Sequence, residues 1–147
     1  MPDDAAPTLL FRSRHRLTHA RQFQAVYDAK LRKTIGPIMV STLPNTLPHP
    51  RLGLSVGVRV GSAVTRNRIK RLIREAFRLE QFTLAQSLTG SYDIVVGVRA
   101  GSRSSPLTLE ACRQALVELV ARSDKDWRRR AREQPRTPEP PASDKAQ

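Results

Sequence analysis

The sequence predicts an α+β domain, with helices on a mixed sheet in the order α-β-β(-β)-α-β-α. Three observations carry this. Leu52 to Val60 (LGLSVGVRV) alternates large apolar with small or polar residues, the period of a strand. Tyr92 to Val98 (YDIVVGV) is apolar enough to sit centrally in a sheet. Between them, Thr65 to Arg78 (TRNRIKRLIREAFR) spaces Ile69, Leu72, Ile73, Ala76 and Phe77 as one face of an amphipathic helix. A strand, helix, strand unit therefore lies in the middle of the chain.

The elements follow in order. Residues 1–16 read as a flexible arm, basic at its end through Arg12, Arg14 and Arg16. Thr18 is a candidate N-cap for a short helix running to about Ala29, with Phe23 and Tyr27 four apart on one face. Ile35 to Leu43 reads as a strand with Gly36 and Pro37 at its start. The prolines between Pro44 and Pro50 make a turn, after which Leu52 to Val60 is expected to pair back as an antiparallel hairpin. Gly61 stops that strand and Ser62 caps the central helix, which is expected to reach about Glu80. Ala100 to Pro106 (AGSRSSP) is a loop. Leu109, Cys112, Leu116, Leu119 and Val120 are the buried stripe of a last helix ending near Arg122. From Ser123 the chain is rich in proline and charge, with Trp127 almost its sole apolar residue, so residues 123–147 are expected to be a disordered tail. Residues 17–122 form the single globular domain. Two readings of Trp127 to Arg132 (WRRRAR) stand side by side, contact with RNA and a solvated charged tail.

Charge narrows the function. Twenty-six basic and thirteen acidic residues give a net charge of +13 over 147 residues, which points to a polyanion, nucleic acid before anionic membrane. The central helix sets Asn67, Lys70, Arg71, Arg74 and Arg78 opposite its apolar face, with Arg66 and Arg68 on the flanks. Such a helix suits a phosphate backbone, and RNA is the expected partner. Cys112, the single cysteine, excludes an internal disulfide and reads as a buried small hydrophobe. No apolar run reaches the roughly 18 residues that span a bilayer. Asp3 and Asp4 stand where a signal peptide carries positive charge, so a soluble cytoplasmic protein is expected, without a membrane partner.

Catalytic groups are not evident, and none is assigned. A protein nuclease needs converging carboxylates for magnesium, or a histidine pair for acid–base work. From Leu17 to Arg122 the acids are Asp28, Glu75, Glu80, Asp93, Glu110 and Glu118, scattered over separate elements. His15, His19 and His49 read as surface residues without a neighbouring acid to complete a metal site.

The stretch Gly53 to Arg78 resembles the signature of the bacterial ribonuclease P protein component. Its heart is Arg66-Asn67-Arg68, then Ile69-Lys70-Arg71 and Arg74-Glu75. Arg16-Leu17, Phe23 and Tyr27 upstream, and Tyr92 to Val96 with the last helix downstream, are similar in order and spacing, so the resemblance covers about residues 12–122. It implies an α/β sandwich with a left-handed strand, helix, strand crossover, a hand that patterning alone would not suggest, since right-handed crossovers are the rule. It also implies a catalytic RNA partner, one protein per RNA, and precursor tRNA as substrate. Magnesium is then held mainly by the RNA.

Carried over residue by residue, the resemblance places Arg66, Asn67, Arg68, Lys70, Arg71 and Arg74 against the catalytic RNA. It places Phe23 and Tyr27 in a cleft for the single-stranded 5′ leader, where bases stack at ~1 to 3 kcal/mol each. On spacing alone these two aromatics are more often core, and both readings stay open. Relatives often carry two adjacent lysines on the strand before the signature helix, where Val58-Arg59 here keeps one cation. The strand at Ile38 to Ser41 also lacks an aromatic that some relatives place in the cleft. Leader contact is therefore expected to be weaker, or to rest more on Arg51 and Arg59. A ribosome-associated or general RNA-binding protein is the alternative that the same charge and helix would serve.

Overall fold

A computed structural model describes residues 11–87, 90–99 and 107–133. The described elements are α1 (Ala20–Asp28), β1 (Arg32–Ile35), β2 (Ile38–Asn45), β3 (Arg51–Ser55), α2 (Ala63–Ser87), β4 (Ser91–Val98) and α3 (Leu109–Glu133), with short 3-10 turns at Ser13–His15 and Val58–Val60. They build the expected α+β architecture around one four-stranded mixed sheet of order β1-β2-β4-β3.

The sheet order follows from where apolar side chains must go. In β4, Tyr92 to Gly97 are all buried, so this strand needs neighbours on both edges and cover on both faces. It pairs antiparallel with β2 and parallel with β3. The expected β2–β3 hairpin is thus corrected, because β4 lies between them and the proline-rich segment carries the chain across. The adjacent parallel strands β3 and β4 are joined through α2, which is the strand, helix, strand unit of the sequence. The true hairpin is β1–β2, where Ile35 pairs with Ile38 around Gly36 at φ 57. Only glycine takes such a φ without strain.

Alternate residues divide between two clusters. Ile38, Val40, Leu52, Ile94 and Val96 meet Ile69, Ile73, Ala76, Phe77 and Leu84 of α2 and Cys112, Leu116, Leu119 and Val120 of α3. On the other face, Val95 packs with Leu17 and with Val26 of α1, and Phe23 and Leu43 close over them. The Cys112 thiol is buried as expected, and burial pushes its pKa up to about 11, which makes it inert.

Several boundaries differ from expectation. Strand β3 stops at Ser55, and Val58–Val60 is a 3-10 turn rather than the end of a strand. Gly36 and Pro37 form the β1–β2 turn, so that Ile35 closes β1 and β2 starts at Ile38. The central helix runs past Glu80 to Ser87, because Leu84 continues its apolar period. Its cap is as expected, the Thr65 amide donating to Ser62 Oγ at 3.2 Å. For α1 the cap role passes from Thr18 to Gln22, whose Oε1 accepts from the amides of Thr18 and His19 at 2.8 and 2.9 Å. The largest correction is at residue 123. Instead of a disordered tail, residues 123–133 continue α3, with Ser123 and Asp124 buried. Tyr92 Oη donates to Asp124 Oδ1 at 2.6 Å, Trp127 Nε1 donates to Thr42 Oγ1 at 2.9 Å, and Lys33 pairs with Asp126. Polar side chains that find partners in β1, β2 and β4 thus extend the helix where no apolar stripe announces it. The loop expected at residues 100–106 and the tail beyond residue 133 lie outside the described residues.

Candidate nucleic-acid interface

The cations of α2 fall into two rows set by helical spacing. Asn67, Arg68 and Arg71 are exposed and point away from the core. Arg66, Lys70 and Arg74, at i, i+4 and i+8, are half-buried on the flank toward the arm. The acids of the helix are engaged elsewhere. Glu75 takes a bidentate pair of hydrogen bonds from Arg78, which hold its carboxyl below the usual range, and Glu80 accepts from Arg113 of α3 at 2.6 Å. Among the described residues, no carboxylate pairs with Arg66, Arg68, Lys70, Arg71 or Arg74. Burial, with Arg16 and Arg71 close by, lowers the basicity of Arg74 from its ordinary value. Cations crowded together without a counter-charge form a site that an anion would stabilise.

Lys70 and Arg74 of the inner row share a cleft with Phe23 of α1. This space of about 210 Å³ is lined by Phe11, Arg16, Leu17 and Thr18 of the arm, Phe23 of α1, Leu52 and Leu54 of β3, and Lys70 and Arg74 of α2. Phe23 is half-buried and belongs to both readings left open by the sequence. One side of its ring lies on Gly53, where a Cβ would come within 2.8 Å of Phe23 Cε2 and Cζ. Its remaining surface lines the cleft. Glycine at this position is thus what lets the ring settle on the sheet.

Tyr27 is 43% exposed and lines a different, larger depression of about 510 Å³ with Lys30, Arg32 and Ser41. Phe23 and Tyr27 therefore mark two successive spaces along α1. Arg51 and Arg59 line neither of them. The Arg51 fork is engaged by Asp93, with Nε and Nη2 each donating at 2.8 Å. Arg59 is exposed on the 3-10 turn before α2, beside the exposed Val58.

The arm contributes more than its charge suggested. Phe11 packs edge-on to Phe77, and Arg16 lies 4.7 Å above the Phe11 ring. The Leu17 amide donates to the Leu52 carbonyl at 2.9 Å, fastening the arm along β3. His15 is buried rather than at the surface, its ring 5.1 Å from that of His49, and its Nδ1 accepts from the Arg12 amide at 2.9 Å. Burial first, then His49, Arg14 and Arg12, lower its basicity, so the docked arm favours a neutral imidazole. The cleft wall formed by Phe11 and the basic run Lys30 to Lys33 three residues beyond Tyr27 were the signals in the sequence that went unused.

The family described as Ribonuclease P matches residues 11–124. The chain is 42% identical over 124 residues to the ribonuclease P protein component of Azotobacter vinelandii, covering 83% of this chain and 85% of that protein. It is 43% identical over 129 residues to the same component of Pseudomonas aeruginosa, covering 85% and 84%. Among solved structures it is similar to the RNase P protein of Thermotoga maritima, with a TM-score of 0.62 at 27% identity over 73% of this chain and 96% of that one. The RNase P protein of Staphylococcus aureus gives a TM-score of 0.58 at 30% identity, over 72% and 92%.

Proposed function

The chain belongs to the ribonuclease P protein family, and on that premise we propose that it serves a catalytic RNA in removing the 5′ leader of precursor tRNA. The outward row Asn67, Arg68 and Arg71, flanked by Arg66, engages the catalytic RNA. Lys70 and Arg74 stand between that RNA and the cleft at Phe23, which receives the leader. Arginine suits the first task because its planar fork meets two phosphate oxygens at once. A phenyl face suits the second, because every base offers a π-surface and leaders differ in sequence. The observation that carries the reading is the set of α2 cations without carboxylate partners, opening directly onto an aromatic-lined cleft.

The hydrolytic groups in this reading belong to the RNA, together with its magnesium. Among the described residues no three of His, Cys, Asp or Glu gather closely enough to hold a metal ion. The chain's own work is to neutralise phosphate repulsion and to hold the leader, as a cytoplasmic monomer bound one to one with the RNA. Among the described residues no helix is long and apolar enough to cross a membrane.

The test is cleavage of a 5′-labelled precursor tRNA at low magnesium, by the catalytic RNA alone, the protein alone, and both together. Activity restored only by the mixture, with a mature 5′ end, supports the subunit role. Tight, salt-sensitive RNA binding without stimulation would move the chain to the general or ribosome-associated RNA-binding class. In the same system Arg68→Ala is expected to weaken assembly with the catalytic RNA by about 1 to 3 kcal/mol, the loss of one charge-assisted contact. Filter binding of the two proteins to that RNA measures it, and equal affinities would remove Arg68 from the interface.

A further inference from the structure

At the sheet edge remote from β3, a second group of cations has no part in the sites described so far. Lys30 and Arg32 are exposed on the depression beside Tyr27, and no carboxylate among the described residues pairs with either. The extension of α3 brings Arg130 to the same place. Its guanidinium donates to the carbonyls of Ala29 at 3.0 Å and Lys30 at 3.4 Å, and lies 4.9 Å over the Trp127 ring.

The backbone of Lys30 adds an independent observation. Its φ is 56°, and it is the single non-glycine residue with positive φ among the described residues. It sits just past the end of α1, where glycine normally closes a helix and any other side chain is strained. Strain kept where glycine would serve points to a use for the side chain. Here that side chain is a cation at the rim of a groove whose other wall carries an aromatic ring.

We propose that Tyr27, Lys30, Arg32 and Arg130 form the far end of the leader groove. They hold the phosphates of nucleotides upstream of those at Phe23. The proposal rests on the subunit reading above and adds the length of leader that the chain grips. The direction comes from α1, which crosses the sheet from Phe23 on Gly53 of β3 to Tyr27 beside Ser41 of β2 and Arg32 of β1. Edge strands β1 and β3 stand roughly 14 Å apart across four strands. With the α2 cations turned to the catalytic RNA on the β3 side, a strand following α1 leaves the protein over β1, where these cations stand.

The experiment compares holoenzymes reconstituted with the wild-type chain, with a Lys30→Gly, Arg32→Ala double variant, and with Phe23→Ala. Each is titrated with precursor tRNA bearing a full leader, precursor cut back to the few nucleotides beside the cleavage site, and mature tRNA. The double variant is expected to bind the full-leader precursor about tenfold more weakly, with a log affinity against log salt slope shallower by about two, one per phosphate released. Its affinity for the short-leader precursor is expected to match wild type. Lys30→Gly alone should keep or raise thermal stability, since glycine relieves the positive φ while the cation is lost. Equal weakening for both leader lengths, or weakening for neither, would overturn the proposal. Phe23→Ala tests the reading beneath it by weakening both leader lengths relative to mature tRNA. Should neither Phe23→Ala nor wild type distinguish precursor from mature tRNA, the leader cleft itself falls, and its extension with it.

Discussion

Trp127→Ala is expected to lower the free energy of unfolding by about 3 kcal/mol, the lower end of the range for removing a large aromatic from a core. The lower end applies because Trp127 is half-buried, packed against the main cluster rather than within it. Two further losses accompany the cavity. Thr42 is wholly buried, and its hydroxyl would lose the indole donor at 2.9 Å. Arg130 would lose the ring over which its guanidinium lies, loosening its grip on the end of α1. Urea unfolding of the two proteins measures the difference, and helix content by circular dichroism reports whether residues beyond Asp124 fray. A change under about 0.5 kcal/mol, the scale of an ordinary surface substitution, would show that the extension of α3 does not support the domain.

Asp93→Ala carries an expected cost of similar size, also about 3 kcal/mol, for a different reason. The carboxylate is buried and accepts from three donors, Nε and Nη2 of Arg51 and Nδ2 of Asn45, each at 2.8 Å. The hydrogen bond to Asp93 holds the Arg51 guanidinium above its ordinary basicity, and the Arg51 side chain is only 23% exposed. Alanine leaves that cation partly desolvated without a partner, which costs more than the intact pair contributes. Unfolding of Asp93→Ala, and of a double variant with Arg51→Met, separates the two terms. Partial recovery in the double variant is expected, and equal stability of single and double variants would place the cost elsewhere. The pair joins β3 to β4 and explains why Arg51 stands apart from the cleft. A cation read as a ligand for phosphate is spent on a carboxylate 42 residues away, a partnership that no local pattern contains.

What the sequence disclosed and what it hid divide along the same line. The period of α2, the Ser62 cap, the apolar run of β4 and the stripe of α3 are local, and each was legible. Strand order was not, because hairpin logic joins neighbours in sequence whereas β4 gains more burial by separating β2 from β3. The optional strand of the expected order could not be placed at β1 because RKTI shows charge on both faces, one cation being satisfied by Asp126 of α3. Ser123 and Asp124 interrupt an apolar stripe and read as its end, yet their polar atoms are satisfied inside. The α2 cations were identified by spacing. Their division into an outward row and a cleft row depends on the arm, whose docking residues Phe11 and His15 carry no periodic signal. The hand of the crossover rests on family resemblance alone.

The arm along β3 also bears on how the chain behaves in crowded solution. A strand at the margin of a sheet offers unsatisfied amides and carbonyls to any passing chain, and such margins seed aggregates. Here the Leu17 amide takes the Leu52 carbonyl, and Arg16 bridges to Leu52 in parallel. The opposite margin, β1, is only four residues long and carries Arg32 and Lys33. The segment that walls the cleft is thus also a guard, by which the domain itself denies other polypeptides a template.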